Sequence, residues 1–154
     1  MATAYYSAVL PAPIGEVWAV ARDFGDYCLF TSGRGEAFVE DGEAGSCVGA
    51  IRNATLDGRN VRQRLLSHSD IERCYQYEFC GDAPLPIESY LATLRFKPVV
   101  ENDQTFVEWA ATFDCVPDQR QAMCTRLQAS FATWIASLSA AMCISKQPSN
   151  EHAS

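Results

Sequence analysis

Residues 118–145 read DQRQAMCTRLQASFATWIASLSAAMCIS, and this stretch decides the fold. Its large apolar side chains recur every three or four residues, which places them on one face of an α-helix. They are Leu127, Phe131, Trp134, Ile135, Leu138 and Met142. Pro117 ends the preceding segment, and Asp118 with Gln121 has the spacing of a capping box. We therefore predict one long amphipathic helix from Asp118 to about Ser145.

The chain before this helix has mostly the composition of β-strands. Residues 2–10 predict a first strand, Pro13 suits the first turn of a short helix that runs to Phe24, and Tyr27 to Phe30 predicts a second short helix. Six further strands follow, at residues 36–40, 48–56, 60–69, 74–80, 89–97 and 105–115. The pattern predicts an α+β fold in which a curved antiparallel sheet of about seven strands wraps around the long helix, with a pocket between them.

Length and composition predict one ordinary globular domain. The chain has 154 residues, of which 48% are hydrophobic and 20% charged. We expect the domain to span residues 1–146 and residues 147–154 to form a disordered tail. The seven cysteines are an odd number without a C-x-x-C pair, and we interpret them as reduced, mostly buried thiols.

The charge pattern argues against several classes of partner. The net charge is −7 and only two residues are lysine, so we expect no binding to nucleic acid or to a membrane surface. The start of the chain lacks a basic region and a long apolar run, so we expect no signal peptide and a cytoplasmic protein. With only two histidines, one of them in the tail, we expect neither a metal nor another cofactor. The sequence leaves both a monomer and a homodimer open.

Five short motifs, in this order along the chain, resemble the polyketide cyclase/dehydrase–START superfamily (SRPBCC), which includes the birch-pollen-allergen-like proteins. They are Leu10–Trp18 (LPAPIGEVW), Asp23-Phe24, Gly45–Arg52 (GSCVGAIR), Pro84-Leu85-Pro86 and Phe106–Trp109 (FVEW). The resemblance covers about residues 3–145. It implies the helix-grip fold with a deep apolar cavity between sheet and C-terminal helix. Members bind lipids, hormones or polyketides, and some catalyse cyclisation, dehydration or isomerisation without a metal.

One branch, the lachrymatory-factor-synthase-like proteins, is similar in more detail. In that branch an arginine, a glutamate and tyrosines surround a small polar substrate. Arg52 matches the arginine, Tyr77 and Tyr90 match the tyrosines, and Trp134 matches a helix tryptophan. The chain departs at Gln63, where branch members carry the acidic residue. The resemblance therefore implies the binding of a polar group, whereas a glutamine cannot act as the proton-transferring base.

The residues themselves give Arg52 two alternative placements. Strand alternation puts Ala50, Arg52 and Ala54 on one face. Facing inward, the guanidinium would lie between small residues with room for a ligand, and it can pair two acceptors at once. The alternative is that Arg52 lies on the outer face while Ile51 points inward.

The other candidate residues would bind substrate or form the pocket wall. Trp109, Phe131 and Trp134 are expected to line the pocket, with core packing as the default for Trp109. Gln63 is expected to orient the substrate. Glu88 follows Pro86-Ile87 near the expected cavity mouth, where it could replace the missing carboxylate, or it could be a solvated loop residue.

Three functional hypotheses follow. The first is a cofactor-independent cyclase, dehydratase or isomerase in which Arg52 anchors the substrate and Tyr77 or Tyr90 donates a hydrogen bond or proton. The second is a non-catalytic carrier of a lipid, polyketide or other small metabolite, which the glutamine at position 63 favours. The third is an assembly protein with a vestigial cavity and a partner-facing loop at residues 33–36.

Overall fold

Seven antiparallel strands form one curved sheet in a computed structural model that describes residues 1–146. The strand order is β1-β7-β6-β5-β4-β3-β2. Each strand from β2 to β7 therefore lies beside its neighbour in sequence, and β1 pairs with β7 and forms the other edge of the sheet. The strands are β1 (Ala2–Leu10), β2 (Glu36–Val39), β3 (Ile51–Leu56), β4 (Arg59–Ser69), β5 (Cys74–Phe79), β6 (Glu88–Val99) and β7 (Gln104–Asp114). The predicted α+β class and number of strands are confirmed.

The β3–β4 connection is a two-residue hairpin turn. Leu56 lies opposite Arg59, and the intervening Asp57 and Gly58 have φ values of 51° and 79°. Positive φ at both central positions is the type I′ geometry that Asp-Gly favours, because its twist matches that of the flanking strands. The turn fixes the register of the hairpin, so Arg52 pairs with Gln63 across the two strands.

The long helix α2 (Arg120–Lys146) lies against the concave face of the sheet. Its buried residues follow the predicted spacing, with Trp134 half-buried beside them. They are Met123, Leu127, Phe131, Ile135, Leu138 and Met142. The start of the helix differs from the prediction, because Pro117–Gln119 forms a 3-10 turn without a side-chain cap. The expected capping box at Asp118 and Gln121 is therefore wrong.

Hydrogen bonds tie α2 to β1 and to the segment after the first helix. The side chains of Cys124 and Gln128 donate to the carbonyls of Thr3 (3.5 Å) and Tyr5 (3.2 Å). Further along, Ser137 Oγ donates to the carbonyl of Leu29 (2.8 Å) and accepts from the amide of Ser32 (2.8 Å). These bonds hold the helix on the β1 side of the sheet and at the 3-10 helix Tyr27–Phe30.

Some local predictions need correction. The first helix, α1 (Ile14–Ala21), ends before Asp23-Phe24, although Phe24 is fully buried. All seven cysteines are free thiols, as interpreted, but none of them is in the buried class. The reason is that most of them lie at the ends of strands or on partly exposed helix faces, where a small side chain is not covered. The predicted disordered tail, residues 147–154, lies outside the described residues.

Asp70 anchors α1 to the end of β4. Its carboxylate accepts hydrogen bonds from Trp18 Nε1 (2.9 Å) and from Nε and Nη2 of Arg22 (both 3.0 Å), and it contacts His68 Nε2 at 3.1 Å. The hydrogen bonds from Arg22, Trp18 and His68 hold the pKa of the Asp70 carboxyl well below its ordinary value.

We predict that acid weakens this anchor. A carboxyl whose pKa is lower in the folded state stabilises the fold above its unfolded pKa, about 4, and loses that contribution as the pH falls further. Asp70→Asn should therefore lower the urea midpoint at pH 7 and narrow the difference between the midpoints at pH 7 and pH 3. Asp103→Asn, at an exposed turn position with φ of 55°, is the matched control and should behave as wild type. An equal pH dependence in Asp70→Asn and wild type would contradict the assignment.

Candidate functional site

Arg52 lies inside the fold, on the face of β3 that strand alternation predicted. Ala50, Arg52 and Ala54 are all buried, and only 2% of Arg52 is exposed. The alternative, an arginine on the outer face, is therefore wrong. Because its neighbours on this face are alanines, the long side chain extends across the interior toward Phe24 and Gln63.

The guanidinium of Arg52 is held by neutral groups. Its Nε donates to Gln63 Oε1 (3.0 Å), Nη2 also donates to that oxygen, and Nη1 donates to the carbonyl of Phe24 (3.0 Å). Its carbon lies 4.0 Å from the ring centre of Phe24, 4.9 Å from Tyr27 and 5.4 Å from Tyr77. Ring faces attract a cation, and the attraction grows when water is excluded. Among the described residues, no carboxylate forms an ion pair with Arg52.

An aromatic cluster fills the interior beside Arg52. Trp109 on β7 stacks on Phe131 of α2 with 5.3 Å between ring centres and 6° between planes, and it contacts Trp134 at 5.0 Å. The indole Nε1 of Trp109 donates to the hydroxyl of Tyr77 (3.1 Å). Tyr77 in turn lies 6.2 Å from Tyr90, measured between ring centres. The residues that the sequence expected as pocket wall thus pack mainly against one another.

The buried tyrosines are hydrogen-bond donors rather than bases. Burial raises the pKa values of Tyr75, Tyr77 and Tyr90, and the nearby positive charge of Arg52 opposes this only in part. Burial also raises the pKa of Tyr27. These phenols therefore keep their protons at neutral pH and can donate a hydrogen bond to a ligand.

A small cavity of about 190 Å³ remains between α2 and the β3–β4 hairpin. Its wall is mostly apolar and contains two arginines. It consists of Tyr27, Ala54, Leu56, Arg59, Val61, Phe79, Pro84, Leu85, Tyr90, Arg126, Leu127, Ser130 and Trp134. Sites for drug-sized ligands usually measure about 300–1,000 Å³, so this cavity is smaller than the deep cavity that the resemblance implies.

Only part of the predicted site lines this cavity. Tyr90 and Trp134 are in its wall. Five other predicted residues pack behind it in the core: Arg52, Gln63, Tyr77, Trp109 and Phe131. Gln63, which was expected to orient a substrate, has its side-chain oxygen occupied by Arg52. The roles of these residues toward a ligand stay predictions.

Glu88 lies away from the cavity. It is exposed at the start of β6 and lines a surface depression of about 1,030 Å³ together with Glu78, Asp82 and Asp114. Glu78 and Asp114 alternate along their strands with the buried Tyr77 and Phe113, so this depression lies on the outer side of the sheet. Glu88 is not part of the cavity wall, and its role toward a ligand stays a prediction.

Of the thirteen residues in the cavity wall, Tyr90 and Trp134 were predicted site residues, and those not predicted include Tyr27, Arg59 and Arg126. Tyr27 was assigned only to a short helix, and Arg59 and Arg126 were given no role. Arg59 directly follows the Asp57-Gly58 turn, and Arg126 precedes Leu127 on the apolar face of α2. The hairpin signal together with the helix periodicity could have placed both arginines near one end of the sheet.

The whole arrangement agrees with a known family. The family model for polyketide cyclase / dehydrase and lipid transport proteins matches residues 1–142. The chain belongs to this family. The finer resemblance to the lachrymatory-factor-synthase-like branch stays a prediction. No curated protein matches the chain.

Solved structures agree with this family membership. A Nitrosospira multiformis protein is 30% identical, with a TM-score of 0.74 and coverage of 90% of this chain and 94% of that chain. A Thermobifida fusca protein is 25% identical, with a TM-score of 0.79 and coverage of 90% and 91%. The XoxI protein of Bacillus cereus shares the fold at 23% identity, with a TM-score of 0.81 and coverage of 96% and 100%.

Two further observations concern metal sites and membrane-spanning helices. The part of the chain that the structure describes contains no cluster of three or more histidine, cysteine, aspartate or glutamate residues arranged for a metal ion. Within residues 1–146, neither helix is long and apolar enough to cross a bilayer.

We predict that Arg52 and Gln63 depend on each other energetically. Arg52→Met should destabilise the protein by about 1–3 kcal/mol for each acceptor left without a donor, because Gln63 and the Phe24 carbonyl stay buried. Adding Gln63→Leu should restore part of the loss, since it removes one stranded acceptor. Urea unfolding of the double-mutant cycle measures the coupling.

Arg64→Met provides the control for this cycle. Arg64 lies on the same strand as Gln63 but forms an exposed pair with Glu78, so its loss should cost less than about 1 kcal/mol. Strict additivity of Arg52→Met and Gln63→Leu would contradict the coupling.

Proposed function

We propose that the protein binds a small, partly polar organic molecule in the cavity between α2 and the β3–β4 hairpin. The observation that carries this proposal is the composition of the wall. Leu56, Leu127 and Trp134 provide an apolar surface, and the same wall contains the phenol side chains of Tyr27 and Tyr90. Apolar walls with a few placed polar groups are typical of ligand sites.

The chemistry of the interior supports binding over general-base catalysis. None of the residues in the cavity wall is a carboxylate or a histidine. The position where a related branch carries its acid is Gln63, and that amide is bound to Arg52. The tyrosines hold their protons because burial raises their pKa values. The available groups therefore favour hydrogen-bond donation to a ligand rather than proton removal from it.

The volume limits the size of the molecule. A cavity of about 190 Å³ is below the range of about 300–1,000 Å³ that is usual for drug-sized ligands. A short alkyl chain or a single ring fits this space, whereas a long lipid would require the wall to move. The proposal is therefore a carrier or sensor for a small metabolite, within a family described by polyketide cyclisation, dehydration and lipid transport.

We predict that filling the cavity abolishes binding. In a ¹H–¹⁵N NMR titration, 1-hexanol should shift the signals of Tyr27, Tyr90 and the Trp134 indole. Ala54→Leu adds bulk to the cavity wall and should remove these shifts, and the smaller change Ala54→Val should reduce them. Ala129→Leu, on the exposed side of α2, is the matched control and should bind as wild type. Undiminished shifts in a folded Ala54→Leu protein would contradict the proposal.

A second candidate function is cyclase, dehydratase or isomerase chemistry. The observation that favours it is the row formed by Trp109, Tyr77 and Tyr90, which ends with Tyr90 in the cavity wall. A protonated phenol fixed in an apolar site can stabilise developing negative charge on a substrate oxygen. Such an enzyme would act by placed donors and would not need a general base on the protein.

Tyr90→Phe tests this candidate. It should leave the NMR shifts caused by 1-hexanol in place while lowering turnover by roughly 10²- to 10³-fold, the usual effect of losing one such donor. Turnover is measured by mass spectrometry of a metabolite extract from the expression host, incubated with wild type or variant. Equal product formation by both proteins, or no product from the wild type, would contradict the catalytic candidate.

A further inference from the structure

Two arginines that form no ion pair with the described residues line the cavity between α2 and the β3–β4 hairpin. Arg59 on β4 and Arg126 on α2 are both exposed and both belong to its wall, so they lie where the cavity opens to solvent. Among the described residues, neither side chain forms an ion pair. Four other arginines do have carboxylate partners: Arg22, Arg34, Arg62 and Arg64.

The unpaired arginines contrast with the charge of the whole chain. Aspartate and glutamate outnumber lysine and arginine by 19 to 12, yet no carboxylate is part of this wall. An exposed arginine is ordinarily hydrated and needs no ligand. Here, however, one arginine comes from the sheet and one from the helix, and an apolar cavity lies between those two elements.

The buried Arg52 adds to the positive potential. It lies two residues from the cavity-wall residue Ala54 on the same face of β3, and its partners are neutral. In a low-dielectric interior a charge acts over a longer distance than in water. An anion at the cavity opening is therefore attracted by Arg59 and Arg126 directly and by Arg52 from behind the wall.

We propose that the ligand is a small organic anion: an apolar body inside the cavity and a carboxylate held by Arg59 and Arg126. Arginine matches a carboxylate geometrically, since its fork of N–H groups can donate to both oxygens. The apolar body contacts Leu127 and Trp134, and the phenol of Tyr90 faces the same space. This inference rests on the proposed binding function and names the chemical class of its ligand.

The test compares hexanoate with 1-hexanol by isothermal titration calorimetry. The two probes share the alkyl chain and differ in the head group. Hexanoate should bind roughly three- to tenfold more tightly than 1-hexanol at low salt, and raised salt should weaken hexanoate alone. Acetate, which has the head group without the apolar body, should bind much more weakly than hexanoate.

Variants locate the carboxylate. Arg59→Gln and Arg126→Gln should each raise the Kd of hexanoate by about threefold and change the Kd of 1-hexanol less than that. Arg120→Gln is the matched control, because Arg120 is exposed on the same helix and is not part of the cavity wall. It should change neither Kd.

The outcomes separate this inference from the proposed function. If 1-hexanol binds and hexanoate binds no better, the anionic head group is wrong while the cavity still binds a ligand. If hexanoate is preferred but Arg59→Gln and Arg126→Gln keep that preference, the assignment to these arginines is overturned. If acetate binds as tightly as hexanoate, the amphipathic ligand is overturned. If neither hexanoate nor 1-hexanol binds, the proposed function fails as well.

Discussion

The stacking of Trp109 on Phe131 determines how close the long helix lies to the sheet. These rings are nearly parallel, and Trp109 also contacts Trp134 and the hydroxyl of Tyr77. A helix that moved away from the sheet would lose the large buried aromatic contacts of Phe131 and Trp134 with Trp109. The interior is therefore filled along β5–β7, and the cavity lies beside this cluster, where β3 and β4 form their hairpin.

The neutral surroundings of Arg52 follow from what a core can hold. A buried cation needs compensation, and a carboxylate at position 63 would provide it at a further desolvation cost. This chain uses an amide oxygen, a backbone carbonyl and three ring faces instead. The arrangement fixes Arg52 firmly, and no carboxylate among residues 1–146 forms an ion pair with it, in a protein of net charge −7.

The sequence predicted what depends on periodicity and turn chemistry. The helix face from Leu127 to Met142 and the strands on either side of Asp57-Gly58 follow from local patterns, whereas the inward direction of Arg52 was one of two placements that strand alternation left open. The cavity does not follow from local patterns, because its position depends on how the rings of Trp109 and Phe131 meet across the core. Asp70 shows the same limit: its partner Trp18 lies 52 residues away, so only the folded chain brings them together.

The two sides of the cavity are supported unequally. Helix α2 is fixed by hydrogen bonds to the carbonyls of Thr3 and Tyr5 on β1, at the opposite edge of the sheet from β2. The hairpin is bordered by β2, a strand of only four residues at the open edge of the sheet. A ligand larger than the empty cavity would therefore be accommodated by movement of the hairpin rather than by movement of α2. The size of the largest ligand is thus set by how far the strands at this sheet edge can move, and not by the volume of the empty cavity.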